Sequence, residues 1–137
     1  MIEHESRHFL PELSAEEAGS YSPLVLAFVG DAVYDLAIRT MLVQRGNARP
    51  NALHRAKASM VKASAQSAMM ELILPVLTDE EEAVYRRGRN AKSYTKAKNA
   101  SVADYRRATG FEALIGYLYL CGRKERALEL IETGVGN

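Results

Sequence analysis

Two aspartates interrupt the most apolar stretch of the chain, residues 24–42 (LVLAFVGDAVYDLAIRTML). Ser22 and Pro23 precede it, a capping hydroxyl followed by a ring that pre-sets the first helical φ angle. The apolar residues that should line one side of the resulting helix recur at three- and four-residue steps: Leu24, Phe28, Ile38 and Leu42. Asp31 and Asp35 fall on the same side. We therefore expect this helix to be the element around which the rest of the chain is organised.

Burying a carboxylate among Leu, Phe and Val is costly unless a positive group compensates its charge. A Lys or Arg, the amino end of another helix or a bound metal could each do so, and an aspartate at the edge of the buried stripe would need none of them. Gly30 directly precedes Asp31. Because glycine inside a helix costs about 1 kcal/mol relative to alanine, its presence predicts close packing or close approach at this point.

Length and composition are those of one soluble globular domain, residues 1–137. The chain has 47% apolar and 26% charged residues, and a net charge of +1. Its single cysteine, Cys121, cannot form an intrachain disulfide, which suits the reducing cytoplasm. The first ten residues lack the basic and apolar regions of a signal peptide, and the acids in residues 24–42 break the one candidate membrane span. We expect residues 1–20 to be a less ordered extension.

The periodicity predicts an all-α helical bundle, with no alternating strand pattern and no repeat. Capping boxes at Ser14 and Thr78 should begin two of the helices, and Ser101 should cap another. The predicted helices run from Ser14 to about Gly19, from Ser22 to about Gln44, from Pro50 to Pro75 as one long helix, from Thr78 to about Gly88, from Ser101 to about Thr109, from Phe111 to Gly122 after a break at Gly110, and over 124–134. Residues 89–100 read as a polar, basic loop.

A second acid, Glu112, is expected on a buried face with Ile115, Gly116 and Tyr119. Its position near the predicted start of its helix also allows a structural role against the helix dipole. Two acids on different helices, with no cluster of His or Cys, favour a hard divalent cation such as Mg²⁺. Zinc is disfavoured because the three histidines show no ligand spacing.

The charge distribution is uneven although the net charge is small. Residues 1–35 carry seven acids against one base, and residues 84–107 carry eight bases against one acid. Such a basic region can bind phosphate backbones locally, or can be a solvated surface. The candidates for RNA contact are Arg86, Arg87, Arg89, Lys92, Lys96 and Lys98.

Two segments carry a family resemblance. LAFVGDAVYDL (residues 26–36) resembles the hallmark helix of the ribonuclease III nuclease domain, and FEALIGYLYL (residues 111–120) resembles its second metal-binding helix. Residues 50–63 and 81–120 look specifically like Mini-ribonuclease III, the short relative that lacks the double-stranded-RNA-binding domain. The resemblance covers roughly residues 20–133.

Residue by residue, the resemblance assigns two positions. Asp31 matches the central metal-binding and catalytic aspartate of the family, and Glu112 matches the glutamate that completes the site. Two further acids of larger ribonuclease III enzymes are replaced here by Ala27 and Thr109, so the number and affinity of the metal ions are expected to be reduced. Asp35 and Asp104 are possible outer contacts or simply solvated carboxylates.

The resemblance implies an all-α bundle that dimerises through the hallmark helix. It implies an Mg²⁺-dependent endoribonuclease that cleaves double-stranded RNA and leaves 5′-phosphate and 3′-hydroxyl ends. It further implies a cytoplasmic role in maturation of the 23S ribosomal RNA precursor, with a large-subunit ribosomal protein as helper. The alternatives are a homodimer that binds double-stranded RNA without cleaving it, and a plain helical interaction module.

Overall fold

The computed structural model describes residues 10–92 and 101–136, and over these ranges the chain is helical without any strand. The helices are α1 (Ala15–Gly19), α2 (Pro23–Arg45), α3 (Pro50–Val61), α4 (Ala63–Ile73), a short 3₁₀ turn (Leu74–Val76), α5 (Asp79–Arg89), α6 (Val102–Leu120) and α7 (Lys124–Val135). The predicted all-α bundle is therefore confirmed.

Four of the predicted helix starts are confirmed by capping hydrogen bonds. Ser14 and Thr78 each form a full capping box, with the glutamate three residues later reaching back to the cap. Ser22 accepts from the Leu24 amide and Ser101 from the Asp104 amide. These bonds satisfy amide groups that have no partner inside the helix, which is why the starts were readable from sequence.

The buried face of α2 differs from the predicted one. Its buried residues are Leu26, Ala27, Gly30, Tyr34 and Ile38. Leu24 is exposed and Phe28 is 80% exposed, so the stripe predicted through these two residues is wrong. Apolar residues lie on both sides of this helix, and the three- and four-residue spacing alone could not identify the side that faces the core.

The core is arranged around α6 rather than around α2. This helix contacts α1, α2, α4, α5 and α7. Ten of its residues between Ala108 and Leu118 are buried, and Glu112 is the partly exposed residue in that run. Glu112 therefore lies in the middle of a long helix, and the prediction that it sits near a helix start is wrong.

Gly110 does not separate two helices, because α6 runs through it without a break. A Cβ atom at this position would lie 2.8 Å from the ring and the carbonyl oxygen of Tyr85. The glycine lets α5 approach α6 closely, which explains why a residue that looked like a helix stop lies inside a helix.

The predicted single helix between Pro50 and Pro75 is wrong as well. Lys62 has φ −69° and ψ 158°, an extended conformation that ends α3 and begins α4. Helix α3 has no fully buried residue, whereas α4 buries Met69, Met70 and Ile73. Ala-rich helix propensity runs through Lys62 and therefore concealed the break.

A buried ion pair joins α5 to α7. Glu81 is 3% exposed, and both of its carboxylate oxygens accept hydrogen bonds from Arg126 at 2.8 Å. Arg126 holds the pKa of Glu81 below its usual value despite the burial. Arg126 also donates to the Val76 carbonyl, so the pair fixes the 3₁₀ turn against both helices.

The amino-terminal segment contributes to the core. Within the residues 1–20 that were expected to be less ordered, α1 buries Ala18 completely, and the Leu13 amide donates to the Leu120 carbonyl. Residues 1–9 lie outside the described ranges. In the described part of the chain, none of the helices has the length and apolar character needed to cross a membrane.

Candidate active site

Two glycines set the distance between α2 and α6. A Cβ atom on Gly30 would lie 1.7 Å from the Glu112 carbonyl oxygen, and one on Gly116 would lie 1.9 Å from the Leu26 carbonyl oxygen. No larger residue fits at either position without moving a helix. The close approach predicted from Gly30 is thus present, and Gly116 completes it from the opposite helix.

This crossing brings the two sequence-selected acids together. Asp31 on α2 and Glu112 on α6 interact across this crossing, since the charge and hydrogen bonding of Asp31 help to raise the pKa of Glu112. Asp31 is exposed and Glu112 is partly exposed. The desolvation expected for Asp31 is therefore wrong, and the buried carboxylate of the pair is Glu112.

Burial dominates the electrostatics of Glu112. Burial raises its pKa to about 7, with the negative charge and hydrogen bonding of Asp31 acting in the same direction, and a hydrogen bond from Gln66 opposes them. The same carboxylate, together with burial, raises the pKa of Tyr34 to about 12. Without a cation, Glu112 therefore keeps its proton to a higher pH than an ordinary glutamate does.

Within the described residues, neither Asp31 nor Glu112 forms an ion pair with an arginine or lysine. Asp35 does, since it lies 2.6 Å from Arg39 Nε and 3.4 Å from Lys57 Nζ. These partners hold the pKa of Asp35 below its usual value against the effect of its burial. Asp35 is thus already compensated by protein cations, whereas the Asp31–Glu112 pair has none among residues 10–92 and 101–136.

Asp104 is also engaged elsewhere, at the first turn of α6, 4.0 Å from Arg107. The two positions that lack the acids of larger relatives are both buried. Ala27 faces the core, and the Thr109 hydroxyl donates to the Tyr105 carbonyl at 3.0 Å. Neither can add a charged ligand to the site.

The described residues contain no group of three or more His, Cys, Asp or Glu side chains arranged to hold a metal. The site offers two carboxylates instead. A hard cation such as Mg²⁺ accepts one or two carboxylates and completes its shell with water and phosphate oxygens. The uncompensated pair fits that ligand set and fits a zinc centre poorly.

Sequence reasoning missed one polar residue next to the pair. Gln66 is 2% exposed and its Nε2 donates to Glu112 Oε2 at 3.0 Å. The Ala- and Met-rich sequence of α4 gives no sign of this contact, because the partner of Gln66 lies 46 positions away in the sequence, on α6.

The basic residues predicted to contact RNA have different surroundings. Arg86 pairs with Glu82 on its own helix, and Arg87 donates to the Gly19 and Tyr21 carbonyls at the end of α1. Arg89 lies over the Tyr85 ring, and Lys92 is exposed. Lys96 and Lys98 lie outside the described residues.

An apolar groove of about 890 Å³ lies beside the carboxylate pair, between α2 and α7. Asp31 lines one part of it. Its apolar wall includes side chains that are largely exposed in the single chain, among them Phe28 (80%), Leu36 (66%) and Leu128 (49%). Large apolar side chains that are exposed side by side, as Phe28 and Leu36 are here, can form an interaction site.

The family model and the curated relatives indicate the same family. The family model of the Ribonuclease III domain matches residues 24–123. The chain is 56% identical over 110 residues to Mini-ribonuclease 3 of Enterococcus faecalis, covering 79% of this chain and 83% of that protein. It is 50% identical over 123 residues to Mini-ribonuclease 3 of a Thermoanaerobacter species, covering 90% and 87%. A crystal structure of a Fusobacterium nucleatum protein is similar with a TM-score of 0.74 and 33% identity, covering 85% of this chain and 93% of that chain.

Proposed function

The chain belongs to the Mini-ribonuclease 3 group of the ribonuclease III family and is an endoribonuclease, and from this premise we propose that it cleaves double-stranded RNA with Mg²⁺ held by Asp31 and Glu112. The observation that carries the proposal is the facing of these two carboxylates across α2 and α6 without a protein cation in the described residues.

The two carboxylates have complementary roles in this proposal. Exposed Asp31 meets the incoming phosphate backbone, and half-buried Glu112 gives up its proton when a cation approaches. When bound by Asp31 and Glu112, Mg²⁺ would supply positive charge and would lower the pKa of a water molecule. The hydrolysis adds water across the phosphodiester: the water oxygen bonds to phosphorus, the bond to the 3′ oxygen breaks, and a proton from the water ends on that oxygen, which gives a 5′-phosphate and a 3′-hydroxyl.

We propose further that the enzyme is a homodimer joined through α2. The apolar groove beside Asp31 supports this, because Phe28 and Leu36 project from α2 without cover and Leu128 adds apolar surface from α7. A two-fold interface uses the same patch on both copies, so each groove would receive the partner's α2. Each protomer would contribute one site, which allows both strands of a duplex to be cut.

We propose that the basic residues contact the RNA. Double-stranded RNA is recognised by shape and by its phosphates and 2′-hydroxyls, so exposed cations suffice. Lys92, Arg86 and Arg89 remain candidates from the described ranges, with Lys96 and Lys98 in the segment outside them. Arg87 is proposed as the weakest candidate because it is already hydrogen-bonded to α1.

The biological setting follows from the resemblance stated above. We propose a cytoplasmic enzyme, one domain over residues 1–137, that acts in maturation of the 23S ribosomal RNA precursor, with a large-subunit ribosomal protein as helper. The unpaired Cys121 is consistent with a reducing compartment.

The test is cleavage of a labelled RNA duplex by the purified protein in Mg²⁺ or in chelator, with Asp31→Asn and Glu112→Gln beside the wild type. We expect Mg²⁺-dependent cleavage that both variants lose while keeping their helical circular dichroism. Asp35→Asn is the matched control, since it removes the same charge from the same helix at an ion-paired position. Binding without cleavage by the wild type would instead support the non-catalytic homodimer, for which the residues Ala27 and Thr109 argue.

A further inference from the structure

Gln66 occupies a buried position that an apolar residue could fill. It lies in the first half of α4 and is 2% exposed. Its Nε2 donates to the Val61 carbonyl at 2.7 Å and to Glu112 Oε2 at 3.0 Å. Because a carbonyl oxygen can only accept, the bond to Val61 fixes which end of the amide faces Glu112.

The other end of the same amide has no partner among the residues that the structure describes. Gln66 Oε1 is buried and accepts no hydrogen bond from the described part of the chain. Buried polar atoms in native proteins are nearly always paired, so an unpaired one calls for an explanation. Oε1 shares its carbon with Nε2 and lies about 2.3 Å from it by covalent geometry, which keeps it within about 5 Å of Glu112 Oε2. An unused acceptor therefore sits beside the carboxylate pair.

We propose that Gln66 is a positioning residue of the metal site: its amide nitrogen orients the Glu112 carboxylate, and its amide oxygen accepts a hydrogen bond from a water held in the loaded site. The inference rests on the proposed function and extends it to a third side chain, on a third helix. Gln66 bonds Glu112 through Oε2, so this hydrogen bond uses neither Glu112 Oε1 nor the Asp31 carboxylate.

The geometry explains why a polar residue is placed here. Leucine or methionine would fill the space without burying an unpaired oxygen, and would leave Glu112 without its neutral hydrogen-bond donor. A donor that carries no charge steadies the carboxylate without competing with the cation for it. Residues that orient metal ligands typically change metal affinity 10- to 100-fold when they are removed.

The experiment measures Mn²⁺ binding, by electron paramagnetic resonance, to the full chain and to Gln66→Met. Methionine keeps the length of the side chain and removes both polar atoms. We expect at least about tenfold weaker binding by Gln66→Met. Ser67→Ala is the matched control, because Ser67 is the adjacent buried polar residue of α4 and bonds Arg107 rather than Glu112. Equal Mn²⁺ affinity in Gln66→Met and wild type overturns the inference and leaves the proposed function standing.

A second measurement needs no variant. In the wild type, the side-chain amide resonances of Gln66 should shift during an Mg²⁺ titration with the same midpoint as the side-chain carboxyl resonance of Glu112. Amide resonances that stay unchanged while the carboxyl resonance shifts overturn the role of Gln66, even if the methionine variant does not fold. Failure of the wild type to bind either cation overturns both the inference and the proposed metal site.

Discussion

Gly30 lies against the backbone of Glu112, so closely that a Cβ atom on the glycine would fall 1.7 Å from the Glu112 carbonyl oxygen. The residue after this glycine is Asp31. The contact that brings the two helix backbones together is therefore also the contact that places the aspartate beside the glutamate.

Gly30→Ala should destabilise the protein and weaken the site together. The added methyl group collides with backbone, which cannot move aside as a flexible side chain can, so we expect a loss of at least about 1–3 kcal/mol in the free energy of unfolding. Urea denaturation and Mn²⁺ affinity measure the two effects. Gly19→Ala is the control, since its methyl group would meet only Tyr117 Cε1 at an ordinary 3.8 Å. A Gly30→Ala protein as stable as the control would contradict the close crossing.

Metal-free protein should lose stability as the pH rises. The pKa of Glu112 is raised from 4.5 to about 7 in the folded chain, so the folded state holds a proton that the unfolded state releases. This contribution is fully present below about pH 4.5, is lost as the pH rises through about 7, and amounts to roughly 3 kcal/mol. Thermal unfolding in chelator at pH 5 to 8 measures it. Glu112→Gln should flatten this dependence, and Mg²⁺ should restore stability at pH 8; a wild-type slope equal to that of the variant would refute the assignment.

Leu36→Glu should produce a folded monomer. The substitution places a charge in the apolar groove, where the proposed two-fold contact would bury it twice. Analytical ultracentrifugation of the wild type and the variant should show a dimer and a monomer. Leu72→Glu, at a leucine that is 53% exposed on α4 and outside the groove, should stay dimeric. A dimeric Leu36→Glu would move the interface elsewhere.

Substitutions of Arg87 and Lys92 should have different effects: the first should lower stability, and the second should weaken RNA binding. Arg87→Ala removes two hydrogen bonds to carbonyls at the end of α1, so we expect a loss of about 1 kcal/mol in the free energy of unfolding. Lys92→Ala should leave stability unchanged and reduce the slope of log affinity against log salt by about one. Filter binding to duplex RNA at several salt concentrations tests this. The reverse pattern would show that Arg87 is the RNA contact.

Four helix starts and the two acids could be identified from the sequence, but the helix breaks and the burial of each acid could not. Ser14, Ser22, Thr78 and Ser101 cap helices through local bonds, so short patterns could identify them. Where a helix ends or continues depended on contacts between residues that are far apart in the sequence. Gly110 lies inside α6 because Tyr85 packs against it, and no local signal distinguishes that glycine from a helix stop.

The candidate site, too, could be predicted only in part. The family resemblance selected Asp31 and Glu112, and the structure brings them together. Which of the two is buried could not be read from spacing, since the core-facing side of α2 is decided by its packing against α6. Gln66 could not be identified from the sequence, because its role depends on its hydrogen bond to Glu112, which lies on another helix.

Helix α3 is joined to α2 by two polar contacts: the Tyr34 hydroxyl donates to the Met60 carbonyl at 2.8 Å, and Lys57 pairs with Asp35. Its Met60 and Val61 side chains are partly buried against the core. Because none of its side chains is fully buried, α3 should unfold locally more readily than α6, and its amide hydrogens should exchange with solvent before those of α6. Opening α3 would withdraw the Val61 carbonyl from Gln66 and so loosen the support behind Glu112. The stability of α3 would then affect how firmly Glu112 is held beside Asp31.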